Sequence, residues 1–223
     1  MLTTGSQNYS KMKIPQMTPF LDFYNLMAYD FAGSWDTVAG HQSNLFPSQS
    51  NPPSTPFSSV AALTYYTETA RVPRSKVVMG MPLYGRAFTN TDGPGTSFSG
   101  VGEGSWETGV WDYKALPRPG AREEIDRYAL ASWSYDPASR TMVSYDTLQM
   151  ADMKVNFIVT NQLGGGMWWE SSGDKGGKAA NRTDGSLIGA FVDGVGGVSG
   201  LEQLPNNLHY PESQYDNLRA GFT

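Results

Sequence analysis

The side chains able to do chemistry in this chain are few in kind. There is no cysteine, and His41 and His209 are the only histidines among 223 residues. That removes disulfides, thiol catalysis and cysteine-ligated zinc, and it leaves a histidine-rich metal site or a Ser-His-Asp triad poorly supplied. No metal or organic cofactor is expected. What remains is carboxylate, hydroxyl, guanidinium and aromatic ring. These gather at three places, Tyr29-Asp30, Tyr84 with Arg86, and Trp169-Glu170, each at the end of an apolar run. Six Trp and 12 Tyr offer flat apolar faces with a polar edge, suited to stacking on carbohydrate rings, although an aromatic core explains the same numbers. Each residue alone also has an ordinary reading: Asp30 begins an Asx-turn, Arg86 is a surface charge, Trp169 is core. Their convergence on three strand ends argues against all three being ordinary.

The elements that must position them follow from hydrophobic pattern. A chain of this length allows one large or two small domains. Hydrophobic residues are 39% and charged residues 17%, which excludes disorder. No apolar run reaches the length of a membrane span. Lys and Arg number 16 against 21 Asp and Glu, so neither a nucleic acid nor a membrane surface is an expected partner. Residues 21–30 read as a buried strand, 31–56 as a long loop without regular structure, 58–71 as a helix with Val60, Leu63 and Thr67 on one side, and 76–88 as a second buried strand. Strand, helix, strand implies a parallel pair. Between Thr89 and Tyr145 turn signals crowd in. They predict an antiparallel region with a hairpin of 131–135 and 141–145, and a helical turn near 111–116. Glu123, Glu124 and Asp126 look like a solvated charge run beside Arg122 and Arg127. A helix follows at 147–160, with Met150, Met153, Phe157 and Val159 as buried candidates. A third buried strand follows at 163–170, then a short helix at 186–191 and a flexible connection at 194–200. Parallel strands ending in polar and aromatic residues suggest part of a β/α barrel, whose sites lie at the carboxyl ends of the strands.

Three motifs then carry a resemblance. Met27-Ala28-Tyr29-Asp30, Gly80-Met81-Pro82-x-Tyr84-Gly85-Arg86 and Gly165-Gly166-Met167-Trp168-Trp169-Glu170 resemble strands six, seven and eight of family 18 glycoside hydrolases, the chitinases. Gly104-Ser105-Trp106-Glu107 and Gly109-Val110-Trp111-Asp112-Tyr113 are similar to the α+β insertion domain of that family's large-cleft members, and the tail from Tyr210 is similar to fungal members. The resemblance implies an α/β fold, a partial (β/α)8 TIM barrel divided as 1–88, an insertion at 89–146, and 147–223. It also implies retaining, substrate-assisted hydrolysis of β-1,4-linked N-acetylglucosamine polymers, in which the substrate's N-acetyl oxygen is the nucleophile.

By that resemblance Tyr29 positions the acetamido oxygen, Asp30 helps hold the twisted sugar and Met27 lines the acetamido pocket. Arg86, set by Tyr84 and Gly85, donates to hydroxyls or site carboxylates. Trp169 is the stacking floor, and Glu107 reaches a sugar from the cleft wall. Glu170 is expected on the strand face opposite Trp169, which disfavours an independent Asp30–Glu170 acid–base pair. The family's DxxDxDxE motif, with the catalytic Glu, has no counterpart, because no two aspartates lie closer than six residues. The expectation is therefore a chain that keeps binding residues but does not hydrolyse chitin alone, its missing strands belonging to an N-terminal half-barrel. A non-catalytic chitin-binding module and a non-functional truncation are the alternatives. Strands too few to close a barrel leave open edges, so poor solubility is expected of the isolated chain. Residues 1–12 contain no signal peptide, and the family resemblance points to an extracellular protein.

Overall fold

The computed structural model describes residues 1–176, 181–205 and 208–221; residues 206–207 and 222–223 of the tail lie outside this set. Two sheets organise the chain. Short helices α1 (Ser6–Tyr9) and α2 (Ile14–Met17) lead into β1 (Tyr24–Leu26), and helix α3 (Ser59–Thr64) leads into β2 (Val77–Pro82). Strand β3 (Tyr84–Phe88) follows, then β4 (Val110–Asp112), β5 (Arg122–Asp126), β6 (Ala131–Asp136), β7 (Thr141–Ser144), helix α4 (Leu148–Thr160), β8 (Gly165–Trp169), helix α5 (Leu187–Gly194) and helix α6 (Asp216–Arg219). One sheet is parallel in the order β1-β2-β8; the other is antiparallel in the order β4-β3-β7-β6-β5.

The expected first strand, 21–30, is paired only over Tyr24–Leu26. Ala28 donates its backbone N–H back to the Leu26 carbonyl at 2.8 Å, which turns the chain off the ladder. Leu2 lies beside β1, accepting from Met27 N–H. The expected second strand, 76–88, is two strands in different sheets. Pro82 has no N–H with which to extend the ladder. Leu83 then bridges the sheets, donating to the Trp169 carbonyl at 2.8 Å and accepting from Tyr113 N–H at 2.9 Å. The hairpin is present as β6–β7, and a 3-10 turn at Tyr113–Ala115 occupies the expected helical turn.

Ser58 caps α3 through Ala61 N–H, but the helix widens into a π-helical turn over Tyr65–Thr69 before the expected end. In α4, Thr147 caps the first turn, and Met150, Ala151, Lys154, Val155 and Ile158 are buried. Met153 and Phe157 are half-buried and Val159 is 55% exposed, because the 3.6-residue period set by Met150 and Ala151 falls on Ile158 instead. Helix α5 runs three residues past the expected end, and a 3-10 turn at Val198–Gly200 closes the connection after it. The parallel sheet packs Leu26, Met79 and Met81 into a core shared with Ile158 and Phe191. Leu83, Val143 and Tyr145 pack against Ala151 and Ala190 in a second.

The loop over 31–56 has little regular structure but is packed through its middle. His41, Gln42, Asn44 and Leu45 are buried, and their hydrogen bonds anchor it. Gln42 Nε2 donates to the Tyr84 carbonyl at 2.7 Å and to the Ser144 carbonyl at 3.1 Å. One side chain of the expected solvated run is also engaged: the buried Tyr145 hydroxyl donates to Glu123 at 2.7 Å. Strand alternation turns Glu123 to the opposite face from Arg122 and Glu124.

Candidate functional site

The carboxyl ends of β1, β2 and β8 meet one face of the β3–β4 ribbon around a cleft of about 400 Å³. Met27, Tyr29, Asp30, Tyr84, Arg86, Glu107 and Trp169 all line it. All seven side chains singled out from the sequence are thus brought together. The register explains much of this. Tyr84 pairs with Asp112 and Arg86 with Val110, so alternation directs all four to one face, and all four line the cleft.

Asp30 is the hub. It adopts φ 60°, a left-handed conformation that Asp tolerates better than most residues. Its Oδ1 accepts from the Tyr84 hydroxyl at 2.6 Å and from Arg86 Nε at 2.7 Å. Burial raises the Tyr84 pKa, and the Asp30 charge and hydrogen bond add to the effect, keeping the phenol protonated as donor. On Arg86 burial works against the charge, but the Asp30 hydrogen bond and charge outweigh it, so its pKa is raised. The Tyr29 hydroxyl is pushed up to about 12 by burial and then by the Asp30 charge; it is a neutral donor at any physiological pH. The Tyr29 and Tyr84 rings meet edge to face at 6.3 Å.

Gly80 makes room for this arrangement. A Cβ there would lie 2.6 Å from the Leu26 carbonyl oxygen and 2.9 Å from Tyr29 Cε1. Gly80→Ala is expected to destabilise the protein by about 1–3 kcal/mol and to displace the Tyr29 ring. A thermal melt and the Tyr29 ring resonances check this; an unchanged melt would show that β1 and β2 are not held as closely as described.

Two tryptophans, one in contact with a cleft residue and one lining the cleft, have no role assigned from the sequence. Trp35, from the long loop, lies under the Arg86 guanidinium at 4.7 Å. A Trp in an otherwise small, polar loop was the available signal. Trp106 lines the cleft at 86% exposure, its indole N–H donating to Asp112 Oδ2 at 3.0 Å. Asp112 also pairs with Lys114 at 3.2 Å, and Lys114 donates to the Ser172 carbonyl at 2.6 Å. The β4 wall is thereby tied to the loop after β8. Glu170, expected to face away, also lines the cleft and accepts from the Ser172 hydroxyl; the strand ends at Trp169, so alternation no longer governs the next residue.

Among the described residues no group of three or more His, Cys, Asp or Glu is placed to hold a metal ion, and no helix is long and apolar enough to cross a membrane. The chemistry available is hydrogen bonding from phenols, guanidinium and carboxylates around exposed indole faces. Trp169 is 53% exposed, an indole left open for a ligand to cover.

The sequence profile described as Glycosyl hydrolases family 18 matches residues 1–174. The chain belongs to this family. Chitinase 1 of Aphanocladium album is 42% identical over 217 residues, covering 97% of this chain and 49% of the relative. Endochitinase 1 of Metarhizium robertsii is 43% identical over 215 residues, covering 96% and 48%. The family 18 chain thus spans about half the length of these relatives. Among solved structures, the catalytic domain of a psychrophilic chitinase B from Arthrobacter TAD20 superposes with a TM-score of 0.75 at 30% identity, over 86% of this chain and 43% of that one. A family 18 chitinase from Cycas revoluta in complex with (GlcNAc)3 gives 0.68 at 27% identity, over 82% and 49%. The α/β architecture of this family 18 chain is accordingly of TIM-barrel type.

Proposed function

We propose that this chain supplies the sugar-positioning part of a chitinase site, binding β-1,4-linked N-acetylglucosamine oligomers without hydrolysing them by itself. The observation that carries the reading is the convergence of Tyr29, Asp30, Tyr84, Arg86, Glu107 and Trp169 on one cleft. Strands β1, β2 and β8 correspond in this reading to barrel strands six, seven and eight. The antiparallel sheet is the insertion domain, in the division 1–88, 89–146 and 147–223, with β3 at the border. An N-terminal half-barrel is the partner that would pair with the remaining strands.

The family resemblance suggests the roles, and the cleft geometry supports them. Trp169 offers its open face beneath a sugar ring. The neutral Tyr29 hydroxyl donates to the acetamido carbonyl oxygen and holds it in line with the anomeric carbon, a positioning effect that can lower a barrier by several kcal/mol. Met27 packs on the acetamido methyl. Asp30 has its Oδ1 occupied by Tyr84 and Arg86, which fixes the carboxylate for a sugar N–H or hydroxyl at Oδ2. Arg86 and Glu107 contact hydroxyls at the wall. Protonation of the leaving oxygen requires a general acid, and the DxxDxDxE segment that would bring the family's catalytic Glu has no counterpart among these residues.

The test is binding and turnover on the same purified chain. Chitohexaose is expected to bind and fluorogenic chitobioside to remain uncleaved; steady release of fluorophore would overturn the inactivity. Trp169→Ala is expected to weaken binding about tenfold or more, since covering an indole face contributes on the order of 1.5–3 kcal/mol. Unchanged affinity in that variant would remove Trp169 from the site. A family 18 protein acting on chitin outside the cell fits the same reading, and a reporter fusion followed in the secreted fraction checks it.

A further inference from the structure

The face of β5–β6 opposite Glu123 carries a second concavity of about 660 Å³, within the range of small-molecule sites. It shares no lining residue with the cleft. Its floor is a cross-strand quartet, with Arg122 paired to Tyr135 and Glu124 to Trp133. Residues two apart on each strand face the same side, so two aromatic rings and two opposite charges form one surface. The rings are held from beneath. Trp133 and Tyr135 pack on the cluster of Phe88 and Met142. Trp133 also lies 5.1 Å from the buried His41 ring, and the Tyr135 hydroxyl donates to the Thr91 carbonyl at 3.0 Å.

The rim selects for ligand chemistry. Asp92, Asp136 and Glu124 line the rim with Arg122, and Arg140 pairs with Asp92 at 2.7 Å; three carboxylates against two guanidiniums disfavour a phosphate or polyanion. Among the described residues no ion pair engages Arg122 or Glu124, so both can turn to a ligand. A neutral ring with C–H faces and many hydroxyl donors matches preset aromatic faces bordered by carboxylate acceptors.

We propose that the Trp133–Tyr135 face of the β5–β6 ribbon is a second, non-catalytic site for a neutral β-linked amino-sugar oligosaccharide. The choice of sugar rests on the function proposed above. Such a site would hold a polymer at a point separate from the cleft.

Photoaffinity labelling with a diazirine-bearing chitohexaose on the full chain, mapped by tryptic peptides, tests it. The expected result is label on the peptide 128–140 that excess unlabelled chitohexaose removes. It should persist in Trp169→Ala and fall about tenfold in Arg122→Ala/Glu124→Ala, a loss of about 1.4 kcal/mol. Label confined to the peptide bearing Trp169 would overturn the second site while leaving the cleft intact. Competed label on 128–140 with none near Trp169 would sustain the second site and remove the cleft reading. Label on 128–140 that excess sugar does not displace would also overturn the proposal.

Discussion

Lys154→Met is expected to destabilise the protein by about 3–5 kcal/mol, the cost of leaving one buried charge without its partner. Both side chains of the Lys154–Asp146 pair are 1% exposed, at a separation of 2.6 Å. The ammonium donates to both Asp146 oxygens and to the Ser43 carbonyl, and the Ser43 hydroxyl donates to Asp146 at 2.9 Å. Burial lowers the Lys154 pKa while Asp146 opposes it, so the pair stands only while both members are present. In Lys154→Met the buried Asp146 carboxylate loses its charge partner and keeps the Ser43 hydroxyl as a donor. For a chain of this size the loss corresponds to about 2–4 °C of melting temperature per kcal/mol. Lys154→Met/Asp146→Leu, which removes both charges, is expected to be less destabilised than the sum of the single variants. Urea denaturation measures all three, and single variants each costing under about 1 kcal/mol would show that the pair is not structural.

The site feels this pair through the loop it clamps. Ser43 is held by α4 and the end of β7, and its neighbour Gln42 holds the carbonyl of Tyr84. Tyr84 in turn donates to Asp30. The prediction for the cleft is that chitohexaose affinity weakens in Lys154→Met even at temperatures where the chain stays folded.

Stability is expected to fall by about 3 kcal/mol between pH 6.5 and 4 because of His41 alone, from a shift of roughly two to three units at 1.36 kcal/mol each. His41 is 1% exposed, its pKa pushed down from 6.5 to about 4 by burial, with the charge of Asp126 opposing. The sign follows from which state takes the proton. Above pH 6.5 the ring is neutral in both states and the full stability is present. Below it the unfolded chain binds a proton that the folded chain refuses, so stability declines until the folded ring also titrates near pH 4. Carboxylates add their own acid sensitivity below about pH 5, so the informative interval is pH 6.5 to 5. His41→Gln is expected to flatten the urea midpoint over that interval. A slope equal to that of the parent chain would assign the acid sensitivity elsewhere. His41 supports the Trp133 ring, so the same acid range is expected to loosen the second aromatic face before the cleft.

Much of the site was legible because its residues sit at the ends of apolar runs. Tyr29-Asp30 and Trp169 stand where parallel strands give way to loop, whereas Tyr84 and Arg86 lie in the antiparallel strand β3 that follows β2 directly. The helix at 147–160 was legible in its extent but not in its buried face, where only Met150 of the four candidates is buried, and the hairpin was legible by its turn residues. Less legible were the points where a strand breaks or ends. The break at Leu83 depends on the Trp169 carbonyl and Tyr113 N–H, residues 86 and 30 positions away. The early end of the first strand is a local turn at Leu26 that a uniformly apolar stretch does not announce. The place of Glu170 in the cleft was misjudged because alternation was extended beyond the last paired residue.

The sequence by itself determined the family, the set of side chains available and the kinds of chemistry they exclude, since those are properties of residue type and spacing. Only the tertiary structure decided that Asp30 ties Tyr84 and Arg86 through one oxygen, that Trp35 stacks on Arg86 while Trp106 joins the cleft, and that Lys154 is a buried clamp. The physical reason is that hydrogen bonds and ion pairs act over about 3 Å, whereas the groups that make them here lie tens of residues apart along the chain. Their encounter is set by register and packing, which no local pattern encodes.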